Sequence, residues 1–334
     1  MKYAIFGPTG ITVSRLCLGM MSYGNGQDWM LEIDDAKPFV DKAIDLGINF
    51  FDTANVYSRG RSEEITGELL KGHRDDVVIA SKVRFAMGEG RNDKGLNRYH
   101  MTRQIKASLT RLQIDFIDLY QIHRWDYNTD IELVMRSLNH LIDQGKVSHI
   151  GASSMYAWEL AKAQHISEQL GLEKFVSMQN HYNAMYREEE REVIPFCLDQ
   201  NIAVIPWSPL ARGFLSGKYK RDQEVKGTRL QTDPYLKGRY FRDNDFDIVE
   251  IVEEIAKQMD VTSAQVALSW LLHQPGVTSP IIGATKLEHL QEAADAVELR
   301  MDSDHLKRID EVYIPRPVTG HSYLQPDAMV SVKK

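Results

Sequence analysis

Phe116-Ile117-Asp118-Leu119-Tyr120-Gln121-Ile122 is a short, largely apolar run that leads straight into His123. It is one of a series. Val77-Val78-Ile79-Ala80 leads into Ser81-Lys82, and Val147 to Ala152 leads into Ser153. Phe175 to Met178, Ile202 to Ile205 and Pro280-Ile281-Ile282 follow. Each is short, continuous and rich in β-branched residues, as strands covered on both faces must be. Between the runs the apolar period changes to that of a helix. Ile131, Val134, Met135, Leu138, Leu141 and Ile142 form one stripe, and Ile248, Val252, Ile255, Ala256 and Met259 form another. Thr129 with Glu132, Thr262 with Gln265, and Thr285 with Glu288 have the spacing of capping boxes. Expected strand ends fall near Gly19, Asp52, Lys82, His123, Ser153, Asn180, Trp207 and Gly283, each followed by a helical pattern. Eight strand–helix units predict a closed α/β fold, a single (β/α)8 TIM barrel.

An open doubly wound sheet would also alternate strand and helix, but it carries a G-x-G-x-x-G turn after its first strand. Gly24 and Gly26 lack the third glycine and sit in a polar loop. Ahead of the first barrel strand, Tyr3-Ala4-Ile5 and Ile11-Thr12-Val13 flank Gly7-Pro8-Thr9-Gly10, which predicts a β-hairpin cap over the amino end of the barrel. Pro and Gly are spread rather than clustered, so residues 1–334 are expected to form one domain. A long polar connection, 208–245, follows the seventh strand; connections of that length are usually functional or disordered. An extended tail is expected over 315–334.

The chain has 334 residues, 43% hydrophobic and 26% charged, enough to bury a large core without covalent staples. Its net charge of -7 and isoelectric point near 5.9 argue against nucleic acid or membrane as the main partner. Two cysteines, Cys17 and Cys197, are no disulfide framework, and the amino terminus has no apolar signal stretch, so a cytoplasmic location is expected.

Barrels of this kind carry their sites at the carboxyl ends of the strands. Three successive strands end there with Asp52, Lys82 and His123, and Tyr57 follows Asp52 on the next loop. Taken singly, each residue has an ordinary explanation. Asp52 suits a helix cap, Lys82 a rim charge or a Schiff-base lysine, and His123 a buried histidine or a metal ligand. Together they form a proton-transfer group. A tyrosine is a weak acid near pH 7, since its reference pKa is about 10, and a neighbouring ammonium lowers that value. A carboxylate fixes the ammonium, and a neutral histidine donates to a substrate oxygen. No nucleophile accompanies them, which points to a cofactor that supplies one. A metal-dependent hydrolase would need further strand-end ligands beside His123, and no metal site is expected.

The stretches FDTANVYSRGRSEE, IASKV, LYQIHRWD, GASSM, SMQNHYN, PWSPLARG and IIGATKLEHLQEA, in this order, resemble the successive signatures of the aldo-keto reductase superfamily. Within it they resemble bacterial and fungal aryl-alcohol dehydrogenase-like oxidoreductases, and the resemblance runs from about Gly7 to Pro315. It implies a (β/α)8 barrel, extended binding of NADP(H), and reversible reduction of a small aldehyde or ketone. It makes Tyr57 the general acid, Lys82 the modulator of its acidity, Asp52 the partner of Lys82, and His123 the group that orients the carbonyl.

The same resemblance assigns Ser153, Ser154 and Gln179 to the nicotinamide carboxamide and Trp207 to the nicotinamide face. It assigns Ser208, Leu210, Arg212, Ser216 and Lys218 to the pyrophosphate, with the 208–245 loop folding over the cofactor. Gly283, Thr285, Lys286, His289 and Glu292 would take the adenine and 2′-phosphate end, where main-chain amides at a helix start suit a phosphate. Lys286 stands where related members often have arginine, and it lacks arginine's bidentate fork. Met21, Tyr23, Trp29, Phe85, Arg124 and Trp125, on loops after strands, are the substrate-side candidates. Arg124 fits an anionic or sugar-phosphate group or a pairing with Asp126. The resemblance leaves one reading of another class, a cofactor-sensing regulatory subunit like the barrels that sit on ion channels.

Overall fold

The computed structural model describes residues 1–221 and 240–318. Two strands, β1 (Tyr3–Ile5) and β2 (Thr12–Ser14), pair antiparallel as the expected hairpin. Eight more form one parallel sheet: β3 (Cys17–Gly19), β4 (Phe50–Asp52), β5 (Val78–Val83), β6 (Ile117–Ile122), β7 (Val147–Ser153), β8 (Phe175–Gln179), β9 (Ala203–Val204) and β10 (Ile281–Ile282). The order is β10-β3-β4-β5-β6-β7-β8-β9, sequential except for the last strand, which returns beside the first. Closure comes from parallel bridges Val204–Val277 and Trp207–Ile281, with Ile281 N donating to Pro206 O and Thr278 N to Val204 O, both at 2.8 Å. The sheet is therefore the expected (β/α)8 barrel.

Helices α1 (Ile33–Asp45), α2 (Arg61–Leu70), α3 (Arg98–Leu112), α4 (Ile131–Asp143), α5 (Ala157–Leu170) and α6 (Val193–Asp199) follow β3 to β8 in turn. β9 leads to α7 (Asp243–Met259) and α8 (Ser263–His273), and β10 to α9 (Leu287–Glu298) and α10 (Ser303–Glu311). The helices that cover the sheet turn apolar stripes inward. On α4, Ile131, Val134, Met135, Leu138 and Leu141 are all buried, and each such side chain contributes about 1.5–3 kcal/mol of burial. Helices α2 and α3 touch at Gly67, where a Cβ would lie 2.2 Å from the Leu112 carbonyl oxygen, so that crossing requires glycine. No helix among the described residues is long and apolar enough to cross a membrane.

Alternation along the strands fills the lumen in two layers. Phe50, Ala80, Leu119, Val176 and Ala203 form an apolar floor with Phe6 of the hairpin loop. Two positions further along their strands come Asp52 after Phe50, Lys82 after Ala80 and Gln121 after Leu119. The floor is hydrophobic and the rim polar because a strand presents every second residue to the same side.

Two helix starts differ from expectation. Asp130, not Thr129, caps α4, its carboxylate accepting from Glu132 N at 2.8 Å; the Thr129 hydroxyl instead donates to Asp126. A carboxylate is the better acceptor at the positive end of a helix. Lys286, not Thr285, occupies the cap position of α9, with no side-chain cap bond. Thr262 and Gln265 do form the reciprocal box on α8. Of the 208–245 connection, 222–239 lie outside the described residues, as do 319–334 of the expected tail.

Candidate active site

Asp52, Lys82 and His123 end adjacent strands of the closed sheet, so the register itself brings them to one rim. Lys82 lies beside Gln121 in the β5–β6 pairing, and His123 N continues that ladder to Val83 O at 3.0 Å. The Lys82 ammonium is fully buried and uses all three of its protons. It donates to Asp52 Oδ2 at 2.5 Å, Thr53 O at 2.7 Å and the Tyr57 hydroxyl at 3.3 Å. Burial alone would pull the lysine down, but Asp52 and then Tyr57 outweigh it and hold it above its ordinary value. It is therefore a buried cation at neutral pH.

The other oxygen of Asp52 accepts from Gln121 Nε2 at 2.9 Å and from Gln179 Nε2 at 3.0 Å. Gln121 is a member of this group that the strand pattern concealed: a polar residue inside an apolar run looks incidental until its alternation with Leu119 and His123 is counted. Gly151 makes room for it, since a Cβ there would fall 3.1 Å from Gln121 Cγ and 2.4 Å from Ser177 Oγ. Gln179 donates to Asp52 and to Gln121 Oε1, so its amide nitrogen belongs to the lumen network.

His123 stands beside Tyr57, ring centroids 5.7 Å apart, and edge-on to Phe85 at 4.8 Å. Its Nδ1 is buried without a hydrogen-bond partner among the described residues. Burial, then the charges of Lys82, Arg124 and Arg84, hold the imidazole well below its ordinary 6.5, so it is neutral at pH 7. A histidine depressed in the folded state takes up its proton more readily when unfolded. Stability linked to it is complete above about pH 6.5 and declines as the pH falls below that. His123→Gln is expected to lose less thermal stability than the unsubstituted protein between about pH 7 and pH 5. Melting curves across that range check it, and parallel losses in both proteins would show that His123 carries no such linkage.

Across the rim, Trp207 is half-buried. Its indole stacks on His181 at 4.2 Å and 9°, and His181 stacks in turn on Tyr186 at 4.1 Å. The indole N–H donates to Ser154 Oγ at 3.0 Å, and Tyr240 OH lies 2.7 Å from His181 Nε2. Ser153 Oγ donates to Gln179 O at 3.1 Å. His181 and Tyr186 were missed in the sequence, where nothing near either residue signals a stack with Trp207. Ser208, Ala211 and Arg212 adopt positive φ in the loop after β9, and Ser216 Oγ donates to Gly213 O. Leu210 is half-buried, while Ser216 and Lys218 are exposed. At the start of α9, Gly283, Thr285, Lys286 and His289 are exposed and Glu292 is half-buried.

The substrate-side candidates divide. Phe85 and Arg124 lie against His123, Arg124 donating to His123 O at 2.5 Å and to Ser153 Oγ at 3.2 Å. Met21 and Trp29 are half-buried. Tyr23 is fully buried and donates to Ala284 O at 3.2 Å. Trp125 is 5% exposed and packs edge-on to Trp158 and Tyr127. The Asp126 carboxylate accepts from Leu96 N, Asn128 N and the Thr129 hydroxyl, which shape the loop.

Comparison with known proteins agrees with this geometry. The model of the aldo/keto reductase family matches residues 15–314. The chain is 37% identical over 340 residues to the versiconal hemiacetal acetate reductase of Aspergillus parasiticus, covering 95% of this chain and 98% of that protein. It is 39% identical over 347 residues, 95% of this chain and 97% of the other, to a Schizosaccharomyces pombe protein provisionally named an aryl-alcohol dehydrogenase. An aldo-keto reductase of Fusarium vanettenii is 37% identical over 350 residues, 96% of this chain and 93% of that one. A barrel with these residues at its rim, matched along nearly its whole length, belongs to the aldo/keto reductase family and is an oxidoreductase.

Proposed function

We propose that the protein reversibly reduces an aldehyde or ketone to an alcohol with NADP(H), and that Tyr57 delivers the proton. The observation that carries the reading is the Tyr57 hydroxyl accepting from a buried ammonium whose other two protons are bound by Asp52 and Thr53. Because Lys82 donates to the phenol oxygen, the phenol's own proton is left to point elsewhere, toward a substrate oxygen. Lys82 then stabilises the phenolate that remains. His123, neutral and with Nδ1 enclosed, presents Nε2 as the ring atom able to hold the carbonyl oxygen beside Tyr57. In the reverse direction the same phenolate accepts the alcohol proton. The names of two relatives, a reductase and a dehydrogenase, accord with chemistry in both directions.

The rim fits an extended nicotinamide dinucleotide. Trp207, backed by His181, offers an aromatic plate, Ser154 accepts from its indole N–H, and Ser153 and Gln179 end the adjacent strands β7 and β8. The first turn of α9 has no side-chain cap, so its amides suit a phosphate, and Lys286 stands at that cap. When bound, the nicotinamide supplies hydride to the carbonyl carbon. Two buried free thiols, Cys17 and Cys197, accord with a cytoplasmic enzyme, and one family match over residues 15–314 accords with a single domain. The test is turnover: 4-nitrobenzaldehyde with NADPH should give the alcohol and consume the cofactor, whereas a cofactor-sensing subunit would bind NADPH without turnover.

Lys286 decides the cofactor. Lys286→Ala is expected to weaken NADPH and leave NADH nearly unchanged. The side chain is exposed, so the loss should be about 10-fold, the low end for a charge-assisted bond. Fluorescence titration of both cofactors checks this; equal weakening of the two would make Lys286 a support of the helix start.

A further inference from the structure

From the two arginines beside His123, we propose that the substrate pocket is built for carbonyl compounds that carry a negatively charged group, with Arg84 and Arg124 as its anion-binding residues. The proposal rests on the carbonyl-reductase reading above and names the substrate class of that site.

The argument begins with register. Val83 pairs with Ile122, so Arg84 leaves β5 next to the point where His123 leaves β6. The Arg84 guanidinium lies 5.1 Å from the centroid of the Phe85 ring, and that ring lies 4.8 Å from the His123 imidazole. On the other side, Arg124 is held by His123 O and Ser153 Oγ, with its guanidinium carbon 5.9 Å from the Trp207 ring. Two permanent cations thus flank the imidazole that faces the carbonyl.

Arg84 is not accounted for by the carboxylates nearby among the described residues. Asp126 is committed to the 95–129 loops through Leu96 N, Asn128 N and Thr129 Oγ1. Asp52 is committed to Lys82 and two glutamines. Asp93, on the loop after Arg84, bonds Arg103. Arg84 Nε is buried with no hydrogen-bond partner among the described residues, an arrangement that a ligand's acceptor would relieve.

Position separates Arg84 from the charges expected to hold the cofactor phosphates. In the closed eight-stranded order, β5 lies across the lumen from β9, and the residues assigned to the cofactor phosphates follow β9 and β10. Arg84 therefore stands on the far side of the mouth. A planar guanidinium fork suits a carboxylate, sulfonate or phosphate, and a rim aromatic such as Phe85 suits an apolar body between that group and the carbonyl. In a chain of net charge -7, a cationic mouth also draws an anionic substrate out of solution.

The experiment compares 4-carboxybenzaldehyde with its uncharged methyl ester, methyl 4-formylbenzoate, using NADPH and the intact protein. The acid should be preferred in kcat/KM by at least ~10-fold, the scale of one charge-assisted bond, and Arg84→Ala and Arg124→Ala should each cut that preference by ~10-fold or more. Arg124→Lys, which keeps the charge near His123 O, should retain part of it if Arg124→Ala fails to fold. A preference for the ester, or an acid-to-ester ratio unmoved in both variants, overturns the proposal. Calorimetry with benzoate and benzamide supplies a reading free of turnover. Benzoate should bind more tightly, and Arg84→Ala should remove the difference. Equal binding of the two, or benzoate that displaces NADPH, overturns the anion site. If neither aldehyde is turned over while benzoate still binds through both arginines, the anion site stands and the reductase reading fails.

Discussion

Tyr57→Phe is expected to lower carbonyl reduction at least ~100-fold while NADPH binding changes little, because it deletes the proton donor and keeps the ring. The hydroxyl is the one group of Tyr57 bonded to Lys82, and the ring still packs beside His123 without it. The loss should appear in kcat. It should persist with an electron-poor aldehyde such as 4-nitrobenzaldehyde, which needs less proton assistance, though there it should be smaller. Steady-state rates with two aldehydes of different reactivity, and a fluorescence titration of NADPH, check this together. Turnover near that of the unsubstituted protein would remove Tyr57 from the role of acid.

Lys82→Met should lower turnover by a similar factor, at least ~100-fold, since it removes the cation that stabilises the phenolate. Here the fold is also at stake. Removing one partner of a buried pair costs about 3–5 kcal/mol, because the remaining charge stays out of water. Asp52 retains its bonds from Gln121 and Gln179, so the destabilisation should fall at the low end of that range. Asp52→Asn keeps the shape and leaves the ammonium facing a neutral amide in place of its charged partner. Both variants act through the same phenol, so the double variant should lose much less than the product of the single losses. Rates and melting curves for the two singles and the double test this; losses that multiply would mean that Asp52 and Lys82 act independently.

The barrel was legible because its strands are buried on both faces. β5 to β8 appear in the sequence as short, largely apolar runs, and their ends mark the rim to within about one residue. The catalytic candidates were legible for the same reason: a charged residue at the end of such a run has nowhere to go but the rim. Residues whose role depends on direction were harder. Tyr23 and Trp125 follow strands, as Phe85 does, yet they turn into the packing while Phe85 turns toward His123. Loop sequence does not fix that choice; the neighbouring helices and loops do. Gln121 was hidden because its neighbours are apolar, and His181 because its partners Trp207 and Tyr186 meet it only in the closed barrel. The helix caps shifted by one residue at α4 and α9, where a stronger acceptor or an exposed start displaced the expected threonine.

The central claim is that hydride passes from a reduced nicotinamide to a carbonyl carbon at this rim while Tyr57 supplies the proton. Deuterium tracing tests it most directly. The protein is incubated with 4-nitrobenzaldehyde and NADPH carrying deuterium at both C4 positions of the nicotinamide, and the alcohol is analysed by mass spectrometry and NMR. The account predicts one deuterium on the carbinol carbon of each product molecule and almost none with Tyr57→Phe, because little product forms. Alcohol without deuterium on carbon, or bound NADPH that is never oxidised by any aldehyde or ketone supplied, would contradict it.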